Sequence, residues 1–196
     1  MSPLLPDKAN AAVLMTSHSM PLSEGQSYNQ YFEETLSEYH SMISRVVSSY
    51  ERSQALQEEL YQEISVALWK ALAKFDGQSS LKTYILSIAH KRAVSHVARY
   101  VKEPEAVEIN ELSLTGGDCP VQQIQQNQRI QQLIESIRLL SLVERQLVTL
   151  ALEGLSYKEI GEILGLNTSH VGVKLNRAKN KLSLIMEKFS TGGSHE

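Results

Sequence analysis

Apolar residues along this chain recur at three- and four-residue steps, and the strict alternation that marks a half-buried strand is almost absent. A helical pattern sets in at Tyr28 and persists to about Lys102. Within it Leu60, Ile64, Ala67, Leu68, Ala71 and Leu72 share one helix face, which the spacing assigns to a core. The stretch FDGQSS, residues 75–80, breaks the pattern with Asp-Gly turn chemistry and a Ser able to cap a new helix. That helix is expected from Leu81 to about Tyr100, with Leu81, Ile85, Ile88, Ala89, Ala93 and Val97 inward. A second helical stretch opens near Val121 with a Gln-rich segment, continues from Ser141 to Leu152, and closes with LSYKEIGEILGLNTSHVGVKLNRAKNKL, residues 155–182. The expected fold class is all-α: two small helical domains, 26–102 and 121–188, joined by an acidic flexible linker over 103–120, the second ending in a helix-turn-helix. Residues 1–25, with three of the five prolines, read as a flexible leader, and 189–196 as a short polar tail.

The closing stretch carries the firmest local signals. Ser156 followed by Glu159 is a capping box, which starts a helix at Tyr157. Ile160, Ile163 and Leu164 form its buried stripe, and Gly165 ends it, because a left-handed cap costs glycine little. Asn167 can cap a second helix whose inward side is Val171, Leu175, Ala178 and Leu182. A short helix, a glycine turn and a second helix describe a helix-turn-helix, whose second member enters the major groove. Residues 167–188 hold five Lys or Arg against one acid, a local focus for phosphate in a chain of net charge −3. An ordinary helical hairpin with a solvated basic face is the plainer reading of the same pattern. Gly172, in mid-helix, suits a close approach to DNA or to a neighbouring helix.

Composition narrows the function classes. At 196 residues, 42% hydrophobic and 21% charged, the chain suits one domain or two small ones. No run of apolar residues is long enough to span a bilayer and no secretion signal opens the sequence, so a cytoplasmic location without membrane insertion is expected. The lone Cys119 excludes an internal disulfide and a cysteine-based zinc site. Six scattered histidines, no H-E-x-x-H and no Gly-rich phosphate loop leave no catalytic residues, metal ligands or cofactor site to nominate, and the chain is not expected to be an enzyme. Residues 81–102 hold five basic residues and no acid, with Lys91, Ser95, Arg99 and Lys102 on one stripe. Residues 103–118 hold five acidic residues and no basic one.

The runs YQEISVALWKALAKFDGQSSLKTYILSIAHKRAVSHVAR and VERQLVTLALEGLSYKEIGEILGLNTSHVGVKLNRAKNKL resemble regions two and four of bacterial RNA polymerase sigma factors of the extracytoplasmic-function group. Gln62-Glu63 ahead of Leu68-Trp69, the F-x-G-x-S-S loop and EGLSYKEI carry the resemblance, which spans roughly residues 28–184. It implies a transcription initiation factor that binds core RNA polymerase, directs it to promoter DNA and helps open the duplex. Glu58, Glu59, Gln62 and Glu63 then match the polymerase-docking surface; by themselves they read equally as a solvated helix face. Asp76, Gly77, Gln78, Ser79 and Ser80 match the element that captures a base flipped from the minus-10 box, an extrusion repaid only in a pocket shaped for the right base. Lys82, Tyr84, Lys91, Arg92, Ser95 and Arg99 line the DNA behind it. Thr168, Ser169, His170, Lys174 and Arg177, with Tyr157, match the minus-35 reader, with His170 and Lys174 facing base edges and Arg177 a phosphate. The family often uses an anti-sigma partner. Its linker runs near the RNA exit path, where Glu105, Glu108 and Glu111 would mimic nucleic acid. Leu56 stands where the family's acidic cluster begins with Asp, Tyr84 where Trp is common, and the centre Val-Gly-Val marks a subgroup with its own promoter preference.

Two other classes fit parts of the pattern. A non-sigma helix-turn-helix regulator with a helical interaction domain would bind its operator alone, and a helical interaction protein would ignore DNA. The order Gln-Glu, Trp69, Phe75 loop and basic helix separates the first reading from the regulator, and weakened DNA binding in Lys174→Ala would separate it from the interaction protein.

Overall fold

The computed structural model describes residues 27–102 and 121–192. Among these every regular element is a helix: α1 (Tyr28–Tyr50), α2 (Gln54–Leu72), α3 (Leu81–Lys102), α4 (Val121–Arg138), α5 (Leu142–Leu152), α6 (Tyr157–Leu164) and α7 (Thr168–Gly192). The leader and the acidic linker, with Cys119, Glu105, Glu108 and Glu111, lie outside the described residues. No described helix is long and apolar enough to cross a membrane.

α1 starts where the Ser27 hydroxyl accepts from the Gln30 amide at 3.2 Å, and it buries Met42, Ile43, Val46, Val47 and Tyr50. The sequence reads residues 28–72 as one helical run, but the chain turns at 51–53. There Glu51 is extended and the Gln57 amide donates to the carbonyls of Glu51 (3.0 Å) and Arg52 (3.3 Å). Neither Gly nor Pro marks this corner, and Ser53 as the next N-cap is its only local sign. α2 buries Leu60, Ile64, Leu68 and Leu72 on the expected face, between α1 and α3. Burying side chains of this size contributes about 1.5–3 kcal/mol each.

α3 buries more than one face. Ile85, Ala89 and Ala93 are inward as expected, and Leu86, His90 and His96 are fully buried as well. The reason is tertiary: α3 packs on α1 and α2 and also on α5. In the second half α5, α6 and α7 close around Leu147, Leu150, Ile160, Val171, Leu175 and Ala178. α7 continues past the expected domain end at residue 188 to Gly192, held through Ile185 and Met186, which lean on the core. The halves that the sequence separates with a tether are in contact, α1 with α4 and α5, and α3 with α5.

Candidate nucleic-acid interface

The helix-turn-helix forms by the expected devices. Glu159 Oε2 accepts from the Ser156 amide at 2.8 Å and from its hydroxyl at 2.7 Å, and the Glu159 amide donates to Ser156 Oγ at 3.3 Å. These bonds hold the Glu159 carboxyl below its ordinary pKa. Gly165 closes α6 at φ 67°, and Asn167 Oδ1 accepts from the His170 amide at 2.8 Å to open α7. Gly161 sets the spacing of the corner, since a Cβ there would lie 2.4 Å from the Leu166 carbonyl oxygen. Nothing in the sequence pattern singled this glycine out. Gly172 lets the Tyr157 ring lie over α7, where an added Cβ would meet it at 3.4 Å; the close neighbour is a helix of the same chain. The Tyr157 ring thereby braces α7.

Thr168, Ser169, His170, Lys174 and Arg177 are all exposed on α7. They lie on its first three turns, and no described side chain pairs with Lys174 or Arg177. A further cation, Lys181, is engaged instead, donating to Glu144 at 2.8 Å. That bond, with those from Ser141, lowers the Glu144 carboxyl to about 2 and ties the start of α5 to α7.

In the first half, Phe75 is buried against Tyr84, ring centroids 4.9 Å apart, and anchors the loop over residues 76–80. Tyr84 donates to the Ala71 carbonyl at 3.0 Å, so this residue faces the loop's own support. Gly77 takes φ 75°. Asp76 accepts from the Gln78 amide at 3.3 Å and from its side chain at 2.6 Å. Ser80 Oγ accepts the Thr83 amide at 3.0 Å and caps α3. Asp76, Gly77, Gln78 and Ser80 are exposed, Ser79 half-exposed. The loop therefore offers a polar rim whose amide and carboxylate already bond each other.

The cations expected behind the loop divide. Lys91, Arg92 and Ser95 are exposed along α3. Lys82 donates to the carbonyl of Glu153 in the second half. Arg99 pairs with Glu63 across α2 and α3. Burial opposes the Glu63 charge but the guanidinium outweighs it, and its pKa is lowered. Among the docking candidates Glu58 and Gln62 are exposed, while Glu59 accepts from Tyr100 at 2.8 Å. Glu59, Glu63 and His96 bring possible ligand atoms within 4.8 Å of one another. Arg99 and the Tyr100 hydroxyl already satisfy these carboxylates, so a divalent ion would have to displace a guanidinium. The cluster reads as a charge lattice between α2 and α3.

Trp69 is 38% exposed and stands edge-on to Phe32 at 5.0 Å, with Tyr28 at 4.5 Å. This aromatic group flanks the exposed end of α2.

Comparisons with known proteins bear on both halves. The family model for sigma-70 region 2 matches residues 35–103, and that for sigma-70 region 4 matches residues 130–182. The chain is 31% identical over 164 residues to RNA polymerase sigma factor YlaC of Bacillus subtilis, an alignment covering 82% of this chain and 90% of that one. It is 24% identical over 171 residues to the ECF RNA polymerase sigma factor SigK of Mycobacterium tuberculosis, covering 80% and 83%. Among solved structures, the sigma factor RpoE of Bartonella quintana, crystallised with the anti-sigma factor NepR, aligns with a TM-score of 0.61 at 19% identity, over 81% of this chain and 98% of that one. CnrH in complex with the cytosolic domain of CnrY aligns with a TM-score of 0.59 at 16% identity, over 84% and 91%.

Proposed function

Because this chain belongs to the sigma-70 family of RNA polymerase sigma factors, in its extracytoplasmic-function group, and so is a transcription initiation factor acting with core polymerase and promoter DNA, we propose how its residues divide that work. Glu58 and Gln62, with Glu59 and Glu63 behind them, dock on core polymerase in the cytoplasm. The loop 76–80 receives a base flipped from the minus-10 element, with Gly77 admitting the backbone and Gln78 and Ser79 meeting base edges after Gln78 lets go of Asp76. Lys91, Arg92 and Ser95 follow the phosphates. On α7, His170 and Lys174 read base edges of the minus-35 element in the major groove, with Thr168, Ser169 and Arg177 on the backbone. An anti-sigma protein is a further partner on this reading, as NepR is for the RpoE of the solved complex.

What supports the reading most is the bare face of α7: five exposed polar or basic side chains on a helix whose opposite side is locked into the core by Val171, Leu175 and Ala178. The test is titration of the chain against bacterial core RNA polymerase, with a Glu58→Lys, Gln62→Ala double variant alongside. Both positions are exposed, so the change leaves the fold alone. The expected result is tight binding that the variant loses. Equal binding by the variant would move the docking surface elsewhere, and absence of any binding by a folded chain would remove the proposal.

A further inference from the structure

Helix α7 turns a core stripe of Val171, Leu175, Ala178 and Leu182 inward. At about 100° per residue, the direction opposite that stripe falls within about 10° of Val173. Val173 is 52% exposed, whereas Val171, two residues earlier, is fully buried. The residues three and four positions away, which are its neighbours on the helix surface, are Ser169, His170, Asn176 and Arg177, and all of them are exposed and polar. A branched hydrocarbon therefore stands at the centre of a polar ring. The sequence pattern passed over Val173 because it belongs neither to the buried stripe nor to the charges.

Packing within the chain gives no reason for a valine there. Val173 is neither in the core nor among the half-buried residues that lean on it. Valine is also a weaker helix former than Lys, Leu or Arg, so helix propensity does not favour it. A single exposed apolar side chain is ordinary on a protein surface, but this one occupies the part of α7 that a duplex would meet first. The major groove offers one apolar feature, the C5 methyl group of thymine, among edges that are otherwise donors and acceptors. Ser169, His170, Asn176 and Arg177 can bond to those edges. Val173 gains only by covering the methyl, since a polar base edge pressed against it would lose water and find no partner. Three residues of helix advance about 4.5 Å, against about 3.4 Å for each base pair, so His170 and Asn176 fall over the pairs on either side.

We infer that Val173 is a specificity-determining residue of the minus-35 reader, covering the methyl group of one thymine inside the element while its polar neighbours read the adjoining pairs. The inference rests on the assignment of α7 proposed above.

The test uses the full chain assembled with bacterial core RNA polymerase and a pool of duplexes carrying a randomised segment. The minus-35 element is read from the duplexes retained, and each of its thymines is then replaced in turn by uracil, which removes the C5 methyl group and nothing else. At one position uracil is expected to weaken binding about four-fold, the worth of one buried methyl-sized group. Val173→Ala should weaken binding to the thymine duplex by a similar factor and should no longer distinguish thymine from uracil at that position. Because Val173 is exposed, the alanine leaves the fold intact, which an unchanged urea midpoint checks. An element without a thymine, or one whose thymines are all indifferent to uracil, overturns the inference and leaves α7 as the reader. A methyl that counts equally for Val173→Ala and wild type also overturns it, and assigns the valine to a protein contact instead. A retained pool whose upstream element is absent, or is unchanged by Lys174→Ala and Arg177→Ala together, removes the assignment of α7 and the inference with it.

Discussion

Helix α7 and the loop before α3 both present polar side chains, yet in different states of readiness. On α7, Lys174 and Arg177 stand exposed with no described partner, carried on a helix fixed by its buried side. Around the loop, Gln78 is bonded to Asp76, Ser80 caps α3, Lys82 is engaged by Glu153 and Arg99 by Glu63. On the proposed reading the first surface would meet duplex DNA as it is. On the same reading the second would have to exchange bonds before holding a base or a phosphate, and so would act only after docking.

The sharpest way to break this contrast is to spoil the ready half. Gly161→Ala would drive a Cβ to 2.4 Å from the Leu166 carbonyl. Backbone cannot yield as a side chain does, and a loss of about 2–3 kcal/mol is expected in thermal or urea unfolding. An unchanged midpoint would mean that the α6–α7 corner is looser than its packing indicates.

Acid probes the other side. Burial lowers His90 from 6.5 to about 3. The unfolded chain therefore binds the proton that the folded one refuses, and stability is complete above about pH 6.5 and falls as pH drops below it. By pH 5 the loss is about 2 kcal/mol. His90→Gln should flatten this acid limb in urea titrations at successive pH values; the same slope in the variant would assign it to other groups.

The contact proposed for Lys174 is smaller in energy and more specific in kind. Lys174→Ala should cost about 1–2 kcal/mol on promoter duplex and reduce discrimination at one base position. If the salt slope falls by about one unit while specificity stays, the lysine holds a phosphate instead.

Smallest is the tie between α5 and α7. Glu144 is lowered to about 2 chiefly by Lys181, so its contribution is present above the ordinary carboxyl range and lost as pH falls toward 2. Because both side chains are partly solvated, Lys181→Ala should cost only about 0.5 kcal/mol at neutral pH. A large drop would show that this pair, and not the apolar stripe, holds α7 in place.

What was legible in the sequence was what local chemistry determines. The capping box at Ser156, the glycine end of α6, the Asn167 cap and the apolar stripes of α2 and α7 depend on residues within one or two turns, and each is found where the spacing put it. The corner at residues 51–53 was hidden because no breaker residue marks it. The burial of His90 and His96, the in-trans capping of α1 by Arg138 and the engagement of Lys82 arise from residues tens of positions apart, which periodicity cannot bring together. For the same reason four docking candidates on one helix looked equivalent, though only Glu58 and Gln62 are exposed, while Glu59 and Glu63 are engaged by α3.

The two oxygens of Glu159 do different jobs. Oε2 closes the start of its own helix and Oε1 reaches across to Thr83. Replacing Thr83 would remove one of these bonds and leave the other, so α6 would keep its first turn fastened. One carboxylate thus carries a local fastening and a long-range one, and neither depends on the other.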